Sequence, residues 1–82
     1  MELKPGVTVT PTGDGAIVLN ETTGAMAHLN ASAHGCLRAG LDGGGLDAAA
    51  AWLADTYGLD SDQARSDAEH ALRQLQERGL AR

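Results

Sequence analysis

Between Gly24 and Asn30 the hydrophobic period of this chain changes, and the change orders everything on either side of it. Before it, apolar residues alternate or gather in short β-branched blocks, as in strands. After it they recur every three or four residues, as on helices. A chain patterned this way builds a small sheet first and lays helices on it afterwards, which is an α+β arrangement.

In the strand half, Val7-Thr8-Val9-Thr10 alternates and is closed by Pro11, which predicts a first strand. Thr12-Gly13-Asp14-Gly15 has turn composition, because Gly supplies positive φ and Asp14 can bond its own backbone. Ala16-Ile17-Val18-Leu19 is too short for a stable helix and β-branched at its centre, so it reads as the central strand. Asn20 to Gly24 turns the chain again, and Ala25 to Leu29 returns as the third strand of an antiparallel meander. The free edge of such a strand can accept an extended peptide.

Three helices follow. Asn30 is a good N-cap, and Ala33, Cys36, Leu37, Gly40 and Leu41 share one face of the first helix. Asp42-Gly43-Gly44-Gly45 stops it and provides a flexible link. Leu46, Ala49, Ala50, Leu53 and Tyr57 mark the second helix, which Gly58 ends in the left-handed conformation while Leu59 folds back onto Leu53. The third helix opens with Asp60 and, three residues on, Gln63, a pair resembling a capping box. Its apolar stripe is Ala64, Ala68, Ala71, Leu72 and Leu75, and Gly79-Leu80 predicts a Schellman ending after Arg78.

Composition limits the function. A chain of 82 residues makes one domain, 1–82, and buries roughly 60% of its unfolded surface, which leaves little room for a deep catalytic cavity. Residues 1–6 carry no pattern and are expected to be flexible. Trp52 and Tyr57 are the only aromatic residues, so the core is built from aliphatic side chains and alanine. Cys36 has no second cysteine to pair with, the N-terminus lacks the apolar run of a secretory signal, and no segment approaches the roughly 20 apolar residues of a membrane span. A cytoplasmic protein without membrane attachment is expected. The net charge is −5, with eight acids against four arginines from Asp42 onward, which is the wrong sign for binding nucleic acid.

No residue cluster points to catalysis or to a cofactor. His34 and Cys36 are two apart and project about 200° from each other on a helix, which does not suit a shared metal with His28 or His70. Ser32, Ser61 and Ser66 have no nucleophile-elbow context, and the glycine runs lack the lysine of a phosphate loop. Cys36, on an apolar face, reads as a small hydrophobe.

Three motifs in order carry a family resemblance: Thr23-Gly24 with Leu29-Asn30, then Tyr57-Gly58-Leu59-Asp60, then Leu75-Gln76-Glu77-Arg78-Gly79-Leu80. Across about residues 7 to 81 the chain resembles the PqqD-like family, also called RiPP recognition elements, which bind leader peptides of ribosomally made, post-translationally modified peptides. The resemblance implies a winged helix-turn-helix in which the third strand pairs with the leader and the third helix closes the groove. It is most similar to freestanding members of lasso-peptide pathways, which pass the precursor to a leader peptidase and then a cyclase; related members present a peptide to a radical SAM enzyme. The implied role is non-enzymatic; no cofactor or metal is expected from the residues, and a monomer or weak dimer is the expected form. The implied groove takes Ala25, Met26, Ala27, His28 and Leu29 from the strand, and Ala64, Asp67, Ala68, Ala71 and Leu75 from the helix. Family members often carry an aromatic residue near Ala27 and a bulky one near Cys36, two departures that bear on pocket size.

Plainer roles compete for these positions. Leu29, Ala68 and Leu75 are what any helix needs to pack on a sheet, Ala64 and Ala71 suit close helix packing, and Asp67 suits a solvated face as well as a basic peptide residue. Two other classes of function share the fold: a winged-helix DNA-binding regulator, against which the acidic third helix argues, and a module that buries its strand edge against a second copy.

Overall fold

The computed structural model describes residues 2–82. Strands β1 (Val7–Thr12), β2 (Gly15–Asn20) and β3 (Met26–Asn30) form one antiparallel sheet in the order β1-β2-β3, followed by helices α1 (Ala31–Ala39), α2 (Gly45–Tyr57) and α3 (Ser61–Glu77). The α+β order read from the change in hydrophobic period is the order observed.

Each strand differs slightly in extent from expectation. β1 runs through Pro11, which sits opposite Ala16, and the hairpin closes over Gly13-Asp14 alone. Proline survives there because β1 is an edge strand. The alternation of the ladder turns position 11 outward, so its missing N–H removes no sheet bond. Gly15 begins β2 where a Cβ would collide with the Leu29 carbonyl, so glycine allows β2 and β3 to close together. β3 is shifted by one residue, excluding Ala25 and including Asn30.

The caps are those the sequence announces. Asn30 accepts from Ala33 N–H at 2.9 Å, and Asp60 accepts from Gln63 N–H at 2.8 Å. Gly58 ends α2 at φ 67°. After α3, Leu80 N–H donates to the Leu75 carbonyl and Gly79 N–H to that of Gln76, the paired bonds of a Schellman motif. The expected flexible link between α1 and α2 is instead a π-helical turn, Gly40–Gly44, broken only at Gly43, whose φ of 112° requires glycine. Leu41, expected on the buried face of α1, is 37% exposed, because the change of pitch at this turn takes it off that face.

Two cores result. Val18, Ala27, Leu29, Leu37, Leu75 and Leu80 join the sheet to α1 and to the end of α3. Cys36, Ala49, Leu53, Ala64 and Ala68 join the three helices, with Trp52 and Leu59 packed around them. Trp52 occupies the space beside Gly35 that a Cβ would need, which brings α1 and α2 close. Of the segment 1–6 expected to lie loose, Met1 is outside the described residues. Residues 2–4 are bonded to the other end of the chain: Leu3 bridges Ala81, Lys4 N–H donates to the Leu80 carbonyl at 3.0 Å, and Arg82 N–H to that of Glu2 at 2.9 Å.

The buried polar side chain of Asn20 fastens the sheet to α3. Its amide donates to the Gly79 carbonyl at 3.2 Å, while its Oδ1 accepts from the N–H groups of Thr22 and Thr23 in the β2–β3 turn. One side chain therefore holds the start of β3 and the end of α3 in a fixed relation.

Candidate functional site

β3 has a partner on one side only. Ala16, Val18 and Asn20 of β2 stand opposite Leu29, Ala27 and Ala25, and Asn20 N–H bonds the Ala25 carbonyl at 2.8 Å. Antiparallel ladders alternate, so Ala25, Ala27 and Leu29 direct their backbone groups to β2, whereas Met26, His28 and Asn30 direct theirs away from it. The second set leaves three outward N–H groups without a strand partner, and a free carbonyl at His28; Arg78 reaches the Met26 carbonyl, and that of Asn30 opens α1. Side chains alternate as well: Ala27 and Leu29 enter the core at 8% and 7% exposure, while Met26 is 56% exposed and His28 is exposed, 3.9 Å from Asp14.

Beside the last residues of β3 the surface falls into a depression of about 590 Å³. Asn30, Ser32, Ala33 and Cys36 line one wall, from the end of β3 and along α1. Asp67, His70, Ala71 and Gln74 line the other, from α3, and Leu53, Tyr57 and Leu59 close the end toward α2. A narrow crevice continues from it toward the sheet, sharing Ala33, Cys36, Ala71 and Gln74 and adding Leu29 and Leu75. The floor is aliphatic, and the rim carries an acid, an imidazole and amides. That mixture suits a peptide whose apolar side chains point inward while its backbone and polar groups stay near water. Gln63 donates to Asp67 at 2.8 Å and steadies that carboxylate on the rim. Burial pushes the Cys36 thiol above its ordinary pKa, and the charge of Asp67 adds to the shift, so the thiolate is disfavoured at this wall.

The expected groove residues divide into three groups. Asp67 and Ala71 line the large depression, and Leu29, Ala71 and Leu75 line the crevice. Met26 and His28 lie on the free strand with their side chains on the outer face of the sheet. Ala25, Ala27, Ala64 and Ala68 line neither depression. Ala25 precedes β3 and packs on the sheet core beside Ala27, while Ala64 and Ala68 belong to the helical core, because α3 turns that side to α2.

Asn30, Ala33, Tyr57, His70, Gln74 and Arg78 were not expected at the site. Arg78 lies at the C-cap of α3, and its Nη1 donates to the outward Met26 carbonyl at 3.3 Å. A signal for the α3 members is present in the sequence: Asp67, His70, Ala71, Gln74 and Arg78 follow helical spacing and form a face beside the apolar stripe. Of the two family departures noted above, Cys36 falls on the groove wall and Ala27 falls in the core.

No curated protein matches the chain. Among solved structures, it superposes on a lasso peptide synthetase B1 complexed with the leader peptide, with a TM-score of 0.87 and 28% identity over 98% of this chain and 94% of that one. It also superposes on TbiB1 in complex with the TbiA(beta) leader peptide, with a TM-score of 0.83 over the same shares. At 20% identity, that second likeness bears on the fold alone. Residues 15–81 match the family described as Coenzyme PQQ synthesis protein D (PqqD), and the chain belongs to that family.

Proposed function

We propose that this chain is a non-enzymatic recognition protein that captures the leader segment of a ribosomally made precursor peptide in lasso-peptide biosynthesis and presents it to a leader peptidase and cyclase. The leader adds as a strand to the free edge of β3, and its side chains enter the groove facing α3. The observation that carries this reading is the row of outward N–H groups at Met26, His28 and Asn30 that no strand pairs, which runs into a depression with an aliphatic floor. The likeness at 28% identity to a protein solved with a leader peptide supports it.

Energetics assign the parts different tasks. A few new backbone bonds contribute roughly 1 kcal/mol each, and association with ordering costs on the order of 4–15 kcal/mol. Backbone pairing alone is therefore cancelled. Two apolar anchors contribute about 1.5–3 kcal/mol each, so the groove between α1 and α3 determines whether binding is useful.

The test is a backbone amide NMR titration with the leader half of the short peptide encoded beside the gene. Shifts concentrated on 26–30 and 67–78, and lost with a scrambled peptide, support the reading. Absence of shifts at near-millimolar peptide sinks it and moves the weight to self-association through β3.

A further inference from the structure

Strand addition has an ambiguity of its own. The backbone ladder is indifferent to sequence and repeats every two residues, so a peptide can slide by two and still pair. Something at the edge must mark the register. Arg78 is in position to do so. Its guanidinium reaches the Met26 carbonyl, an outward acceptor at the start of β3 and therefore at one end of the row that a peptide would pair with. One of its five N–H donors is engaged there, and the others remain available. Arg65 pairs with Asp47 and Glu69, and Arg82 with Glu2, but among the described residues no carboxylate lies within ion-pair distance of Arg78.

The base of this side chain is held firmly. The Schellman bonds fix the backbone after α3, and Asn20 ties Gly79, the next residue, to the turn that launches β3. The surroundings sharpen the charge, because the chain is acidic overall and Asp67 stands on the groove rim farther along α3. A carboxylate on a bound peptide is thus disfavoured beside Asp67 and favoured at the Met26 end.

We infer that Arg78 is a specificity-determining residue that recognises an acidic side chain of the bound peptide and thereby sets the register of strand addition. The inference rests on the peptide-binding reading above. In the complex the guanidinium keeps the Met26 carbonyl, ending the ladder there, and offers its remaining donors to one Asp or Glu of the peptide. Backbone pairing then uses both groups of His28 and the N–H of Asn30.

The experiment is selection from a displayed library of random 15-residue peptides against the wild-type chain, Arg78→Gln and Arg78→Glu. Amide spectra check that each variant is folded, as expected for an exposed position outside the helix body, and Arg78→Met, which keeps an aliphatic stem and drops the charge, substitutes for any that is not. Wild type should enrich Asp or Glu at a constant distance from the apolar anchors, Arg78→Gln should lose that preference, and Arg78→Glu should enrich Lys or Arg at the same position. For one selected peptide, Glu→Gln should weaken wild-type binding about tenfold, and the same change should have no effect on Arg78→Gln, which a merely structural role would not produce. Peptides that bind wild type with no acidic preference, or with the same preference in all variants, overturn the assignment of Arg78 alone. A library yielding no binders to wild type overturns it together with the peptide-binding reading.

Discussion

The sheet has two edges, and they differ in the backbone donors they leave free. On β1 the outward positions are Val7, Val9 and Pro11. Val7 N–H is taken by the Lys4 carbonyl at 3.2 Å, and Pro11 has none to give, so Val9 is the single donor left on that edge. On β3 the outward positions Met26, His28 and Asn30 all carry N–H groups, and a groove with an aliphatic floor opens beside the last of them. Edge strands invite unwanted pairing, and proteins blunt them with proline and local turns. This chain leaves one outward N–H on β1 and three on β3, where Arg78 occupies only the Met26 carbonyl at the start of the row.

The sharpest way to break that contrast is to give β3 the defect that β1 carries. His28→Pro removes an outward N–H and no ladder bond, so the protein should remain folded by circular dichroism while peptide affinity falls at least about tenfold. Ala27→Pro, one residue earlier, removes an N–H that bonds β2 and should cost about 3 kcal/mol or more, unfolding a domain of this size under mild denaturant. If both variants unfold, or if His28→Pro binds as well as wild type, the division of β3 into inward and outward residues is wrong. A second change spoils the groove and leaves the edge intact. Ala71 lines both the depression and the crevice, and Ala71→Glu puts a charge and extra volume on their shared wall. Binding measured by fluorescence anisotropy should drop about tenfold or more with helicity unchanged. Unchanged affinity would remove α3 from the site.

Most of the fold was legible because its signals are local. The change of period at Gly24 to Asn30, the caps at Asn30 and Asp60 and the left-handed glycines after α2 and α3 each act within a few residues, and each is where the pattern placed it. The site was legible only in part, because its walls depend on how helices rotate against one another. Ala64, Ala68 and Ala71 look alike in sequence, and only the docking of α2 separates the two buried alanines from the one that lines the groove. The hydrogen bond from Arg78 to Met26 joins residues 52 apart in the chain, and no periodicity within α3 could reveal it. Leu41 shows the limit from the other side, since a pattern at 3.6 residues per turn does not foresee a π-helical turn.

The mildest change tests the blunted edge. Pro11→Thr restores an outward N–H on β1, in a residue type well suited to strands, opposite Ala16 and in unchanged register. Stability should shift by less than about 1 kcal/mol, because better strand propensity is offset by the greater freedom of the unfolded chain once the proline ring is gone. Peptide affinity at β3 should stay within about twofold, since the two edges lie on opposite sides of β2 and share no partner. What should change is association between copies. Once position 11 donates as Val9 does, β1 regains two successive outward N–H groups, and sedimentation at rising concentration should show dimer where the wild type shows less. A variant as monomeric as wild type would mean that Pro11 is not what keeps this edge unpaired, and the contrast between the edges would then rest on the β3 groove alone.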